Sequence, residues 1–102
     1  MSYLSYRVRY TRAARDDLRR LFGFLVQRDA RAARRARDAI VKAAEFLKDF
    51  PFACRKADDA NPFLRELLIP FGSSGYVALF EIESPEWVTI LAIRHQREED
   101  YQ

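Results

Sequence analysis

The 102-residue sequence has one cysteine, one histidine and no apolar run approaching the roughly 20 residues of a membrane span. Each shortage excludes something. A lone thiol, Cys54, rules out an internal disulfide and suits a reducing cytoplasm. One histidine and one cysteine are too few for a closed zinc site built from those ligands. The acidic groups Asp58-Asp59 and Glu98-Glu99-Asp100 read as solvated charge, so no metal or other cofactor is expected. The opening Met1-Ser2-Tyr3-Leu4-Ser5-Tyr6-Arg7 lacks the apolar core of a secretory signal. With no repeat or low-complexity tract either, the expectation is one cytoplasmic domain over 1–102 with no membrane partner.

Acidic residues are also scarce at first. Residues 1–56 hold 15 Lys/Arg against 6 Asp/Glu, a balance of +9, and residues 57–102 hold 3 against 9, a balance of −6. Such asymmetry favours one surface for an acidic partner and another of opposite sign. What is plentiful is apolar: a hydrophobic fraction of 49% is ample for a core.

Tyr6, Val8 and Tyr10 alternate with Arg7 and Arg9, the period of a half-buried strand. Thr11 is a plausible N-cap, with Asp16 and Asp17 early in the following helix. Ala14, Leu18, Leu21, Phe22 and Leu25 then form one apolar stripe. Gln27-Arg28-Asp29 interrupts it, and Asp29 can cap a second helix over 30–50. That helix sets Ala33, Ala36, Ile40, Ala43 and Leu47 on one side, with Arg31, Arg34, Arg35, Asp38 and Lys42 opposite. The two helices read as an αα-hairpin stopped by Pro51. Residues 51–63 read as a loop. Three β-rich runs follow at 64–69, 76–83 and 87–94, separated by Gly72-Ser73-Ser74-Gly75 and Ser84-Pro85-Glu86. Short connections make them an antiparallel meander. The predicted fold class is α+β: a strand, a helical hairpin, then a three-stranded meander packed on the helices.

Gly72-Ser73-Ser74-Gly75 feeds a strand rather than a helix N-terminus, so it reads as a hairpin turn and not a phosphate cradle. Cys54 beside Arg55 and Lys56 reads as a passive loop thiol, because no base is assigned to it. The distinctive segment is Ala92-Ile93-Arg94-His95-Gln96-Arg97-Glu98-Glu99-Asp100-Tyr101. Cleaving RNA without a metal needs proton movers and cations for the phosphorane. His95 or Tyr101 would supply the first, and Arg65, Arg94 and Arg97 the second. Strand alternation, however, places His95 and Arg97 on one face and Arg94 on the other. The acidic residues that follow would repel a phosphate backbone.

As a whole the pattern resembles the RelE/ParE toxin superfamily of type II toxin–antitoxin modules. The likeness is carried by Tyr6-Arg7-Val8-Arg9-Tyr10-Thr11, Phe50-Pro51, Leu64-Arg65-Glu66-Leu67, Ser74-Gly75-Tyr76 and Ile93-Arg94-His95-Gln96-Arg97-Glu98. The resemblance implies a toxin that arrests bacterial growth and is silenced by a cognate antitoxin of ParD/RelB type, with DNA reached only through that antitoxin. RelE-like members cut mRNA on the ribosome; ParE-like members poison DNA gyrase by protein contact. RelE-like enzymes resemble one another in a basic residue after the Gly-Tyr of the middle strand, where this chain has Val77. They also carry lysines where it has Leu67-Leu68-Ile69-Pro70. The expectation is therefore a ParE-like, non-enzymatic inhibitor of gyrase, with Arg31, Arg34, Arg35, Lys42, Arg94, His95 and Arg97 as partner contacts. The alternative is a ribosome-dependent endoribonuclease using Arg65, Arg94, His95, Arg97 and Tyr101. A second alternative is a non-toxic nucleic-acid or protein-binding adaptor using the basic helix face. A sheet with two apolar faces and helices for only one would also leave apolar surface for the antitoxin to cover.

Overall fold

A computed structural model describes residues 5–97. Strand β1 (Arg7–Tyr10) leads into α1 (Arg12–Arg28) and α2 (Ala30–Asp49). A 3₁₀ turn (Pro51–Ala53) follows, then β2 (Arg55–Asp58), β3 (Asn61–Phe71), β4 (Ser74–Ile82) and β5 (Trp87–His95). The sheet has five strands in the order β1-β5-β4-β3-β2, antiparallel except where β1 runs parallel to β5.

The α+β architecture is as expected, but the loop foreseen at 51–63 is not. It contains β2 and the start of β3, paired through Arg55↔Glu66, Lys56↔Arg65 and Asp58↔Asn61. All four residues of β2 are exposed. An edge strand wet on both faces has no hydrophobic period to betray it.

Both helix starts are capped as their sequences imply. Thr11 Oγ1 accepts the Ala14 amide at 3.1 Å, and Asp29 Oδ1 accepts those of Arg31 and Ala32. Such a cap contributes about 1 kcal/mol. The hairpin break narrows to a single extended residue, Asp29, whose own N–H closes α1 on Leu25. Ala33, Ala36, Ile40 and Leu47 are buried on α2 and Ala43 half-buried, so the foreseen stripe does face the core.

On the sheet, Ile69, Tyr76, Ala78, Phe80, Ile82, Val88, Ile90 and Ile93 meet the helices. Phe80 is fully buried, which contributes about 2–3 kcal/mol. β4 and β5 lie at the middle of the sheet, each paired along its length, and their sequences read as apolar on both sides. The β3–β4 turn is tighter than foreseen: Phe71 pairs with Ser74, leaving Gly72-Ser73 as a two-residue loop. Gly72 has φ +62° and Ser73 does not enter positive φ, which fits a turn opened by glycine. Gly75 has a different reason to be glycine. Its φ is +140°, and a Cβ there would lie 2.2 Å from the Ile69 carbonyl oxygen.

The sheet face away from the helices is in part the apolar surface expected: Leu64, Leu68, Val77, Leu79 and Ala92 lie on it, with charged groups around them. Arg7 and Arg9 stack over Trp87, with Arg9 4.3 Å from the ring centroid. Arg9 also bonds Thr89 and Glu83, and Arg55 pairs with Glu66. Among the described residues, the exposed large apolar side chains lie mainly on the helices and the 3₁₀ turn: Phe24, Val26, Val41, Phe46, Phe50 and Phe52, joined by Phe63 and Leu68.

Candidate functional site

The end of β5 is built by three elements. Leu79 pairs with Ala92 and Phe80 with Ile90, so Leu91 is an extra residue that bulges the strand. β1 stops at the Tyr10↔Ile90 pair. Beyond it, side chains of α1 and its cap take over the backbone groups of β5. Thr11 Oγ1 donates to the Leu91 carbonyl at 3.1 Å, and Asp17 Oδ2 accepts the Ile93 amide at 2.9 Å. On the other side the Gln96 amide donates to the Gly75 carbonyl at 2.8 Å.

His95 therefore projects from a fixed strand end, on the helix side, with its ring edge-on to Tyr76 at 5.7 Å. The Arg97 amide donates to Nδ1 at 3.1 Å, and Nε2 lies 3.2 Å from Ser74 Oγ. An amide can only donate, so Nδ1 is the bare nitrogen and Nε2 carries the proton toward Ser74. His95 and Arg97 share a cleft of about 380 Å³ with Arg20, Leu21 and Phe24 of α1. The shared face foreseen for His95 and Arg97 is thus present, although β5 ends at His95 and Arg97 lies in the following turn. Arg94 pairs with Val77 on the opposite face. Tyr101 lies outside the described residues. Arg20, Phe24, Ser74 and Asp17 were not legible as members of this region.

Arg65 is not part of it. Its guanidinium donates to the carbonyls of Pro62, Phe52 and Cys54 at 2.8, 3.1 and 2.7 Å, and lies over the Phe52 ring. Arg65 pairs with Phe80, whereas His95 pairs with Tyr76. Four residues along β4 separate the two by roughly 13 Å at about 3.3 Å per residue. Val77, where a catalytic cation would stand in a RelE-like site, is buried. Tyr76 offers no ready base, since burial pushes its hydroxyl above the ordinary tyrosine value. Burial likewise raises the Cys54 thiol, with Arg65 only partly opposing it, which makes the thiol a poor nucleophile. Among the described residues no three His, Cys, Asp or Glu side chains group as metal ligands. No helix there is long and apolar enough to cross a membrane.

A second surface lies between α2 and β3. Its floor is Ala39, Ala43, Phe46, Leu67 and Ile69, and Arg35, Asp38 and Lys42 line its α2 side, in a groove of about 510 Å³. β2 accompanies β3 only as far as Glu66, so residues 67–71 form a sheet edge beside this groove. Of the basic face foreseen on α2, Arg35 and Lys42 line the groove, whereas Arg31 and Arg34 are exposed elsewhere on the helix.

A helical hairpin packed on this sheet is the fold of chains in known type II toxin–antitoxin systems, and the family comparison assigns the class. Residues 8–100 match the family model described as ParE toxin of type II toxin–antitoxin system, parDE. The chain belongs to that family. It is 38% identical over 85 residues to Toxin RelE3 of Caulobacter vibrioides, covering 83% of this chain and 88% of the relative. It is also 38% identical over 69 residues to Toxin RelE1 of the same organism, covering 68% and 71%. Its fold is similar to a chain of the chromosomal ParDE system from P. aeruginosa, with a TM-score of 0.68 and 20% identity over 89% of this chain and 96% of that one. A chain of the toxin–antitoxin complex RelBE2 from Mycobacterium tuberculosis is similar at a TM-score of 0.60, with 20% identity over 93% and 95%.

Proposed function

We propose that this toxin arrests growth by binding DNA gyrase rather than by cutting RNA. The observation that carries the reading is the dispersal of the cations a metal-free RNase would need. Arg65 is bonded to three backbone carbonyls away from the β5 end, Arg94 occupies the opposite sheet face, and position 77 is a buried valine. Removing even one preorganised contact to a developing charge can cost about 3–4 kcal/mol of transition-state stabilisation. A surface of Arg20, His95, Arg97 and the exposed Phe24 is better suited to gripping a protein, where arginine and aromatic side chains dominate contact energy.

In this reading the chain works in the cytoplasm and is held silent by a cognate antitoxin lying along the α2/β3 groove. There the apolar floor supplies burial, and Arg35 and Lys42 supply charges for acidic antitoxin residues. Arg31 and Arg34 are secondary contacts on the same helix, and Arg94 one on the outer sheet face. DNA is reached only through the antitoxin. The second reading, a ribosome-dependent endoribonuclease, is favoured by one feature: His95 carries a proton on Nε2 beside Arg97 and Arg20. Purified toxin separates the two. Trapped gyrase cleavage complexes and lost supercoiling support the proposal; codon-phased mRNA cleavage in a translating extract, with gyrase untouched, supports the other.

A further inference from the structure

We infer that Asp17 is a positioning residue, which sets the bulged end of β5 and the Arg20 guanidinium in one arrangement so that Arg20, His95 and Arg97 face a target together. The inference rests on the reading of the β5 end as the target-contact surface. Asp17 sits in the second turn of α1, past the reach of the helix N-terminus, so it is not there to complement the dipole. One oxygen accepts the Ile93 amide at 2.9 Å across 76 residues of sequence. The other lies 3.8 Å from Arg20 Nη2. The amide it accepts falls where β1 has ended and the Leu91 bulge has shifted the ladder. Two residues further on is His95, whose Nδ1 takes the Arg97 amide. Displacing Ile93 therefore displaces the imidazole, and with it the turn that carries Arg97. Losing the carboxylate also releases the Arg20 guanidinium from its i,i+3 partner. The neighbouring Asp16 has no such reach: it is exposed and, among the described residues, paired with Arg19 along the helix.

The test compares Asp17→Ala, Asp17→Asn, Asp16→Ala and the double variant His95→Ala/Arg97→Ala in the full chain. Each is purified from its antitoxin complex and assayed for target inhibition and antitoxin affinity, with Ile93 amide exchange as a local readout. Asp17→Ala should raise the half-inhibitory concentration at least about tenfold, because a contact set loosened by an ångström loses that much. Its Ile93 amide should exchange at least about tenfold faster, with antitoxin affinity within about twofold. Asp17→Asn keeps an acceptor for the amide but loses the charge facing Arg20, so it should fall between, and it carries the test if the alanine variant does not fold. Asp16→Ala should match the parent. Wild-type inhibition by both Asp17 variants, alongside a damaged double variant, overturns the inference and leaves the surface reading intact. Equal loss of target and antitoxin binding overturns it too, since that marks a merely structural residue. A double variant that inhibits normally overturns the surface reading itself, and this inference with it.

Discussion

Arg65 Nη1 donates to the Cys54 carbonyl oxygen at 2.7 Å. With its companion bonds to Phe52 and Pro62, this contact makes a would-be catalytic cation into a clamp joining β3 to the 3₁₀ turn. Arg65→Ala should then act on stability. Leaving the part-buried Cys54 carbonyl without its donor, with the two exposed bonds to Phe52 and Pro62 adding little, costs about 1–3 kcal/mol, and each kcal/mol lowers Tm by roughly 4–8 °C in a domain of this size. Thermal unfolding of the variant should show that drop, with inhibitory potency per folded molecule unchanged.

Gly75 should tolerate no side chain. Alanine there meets both an unfavourable φ and the Ile69 carbonyl, which together cost about 3 kcal/mol or more. The substitution also disturbs the carbonyl that accepts the Gln96 amide, beyond His95. Gly75→Ala should unfold at markedly lower temperature, free and antitoxin-bound, whereas Gly23→Ala, with open space around its Cβ, should not.

The α2/β3 groove yields a prediction about the antitoxin. Arg35→Glu with Lys42→Glu should weaken antitoxin binding at least about tenfold by turning attraction into repulsion at its rim. Arg31→Glu with Arg34→Glu, outside the groove, should change it by less than about threefold. Titration calorimetry at two salt concentrations separates the pairs.

Glu83 is held below the usual carboxylate range by the Thr89 hydroxyl first and by Arg9 second. A carboxyl whose folded value is depressed stabilises the fold above its unfolded value near 4.5 and loses that contribution as pH falls through the lower, folded value. Stability should therefore decline as pH drops below about 4.5. Glu83→Gln should flatten that part of the profile in urea unfolding curves measured at successive pH values.

How much of this was written in the sequence differs by element. α2 was legible because Ala33, Ala36, Ile40 and Leu47 repeat at the helical period, and the period follows from burial on one side. β2 was not, because an exposed edge strand carries no such period. The outer sheet face was legible in part: Leu68, Val77, Leu79 and Ala92 do form an apolar strip there, whereas the cover that Arg7 and Arg9 give Trp87 depends on β1 lying beside β5. At the candidate site, strand alternation was enough to put Arg94 and His95 on opposite faces, whereas Arg97 joins His95 through the turn after β5, where its amide donates to Nδ1. Asp17 and Arg65 were beyond reach. Each depends on a backbone group brought close only by the tertiary fold, 76 residues away for Asp17 and on a 3₁₀ turn not foreseen for Arg65.

The choice between gripping and cutting is tested most directly by one side-by-side measurement on purified toxin. Gyrase supercoiling with trapped cleavage complexes is followed in one arm, and mRNA in a translating extract in the other. The account predicts stalled gyrase and intact mRNA, with His95→Ala/Arg97→Ala relieving the stall and Arg65→Lys leaving potency per folded molecule unchanged. Codon-phased cuts in the mRNA with gyrase fully active would contradict it.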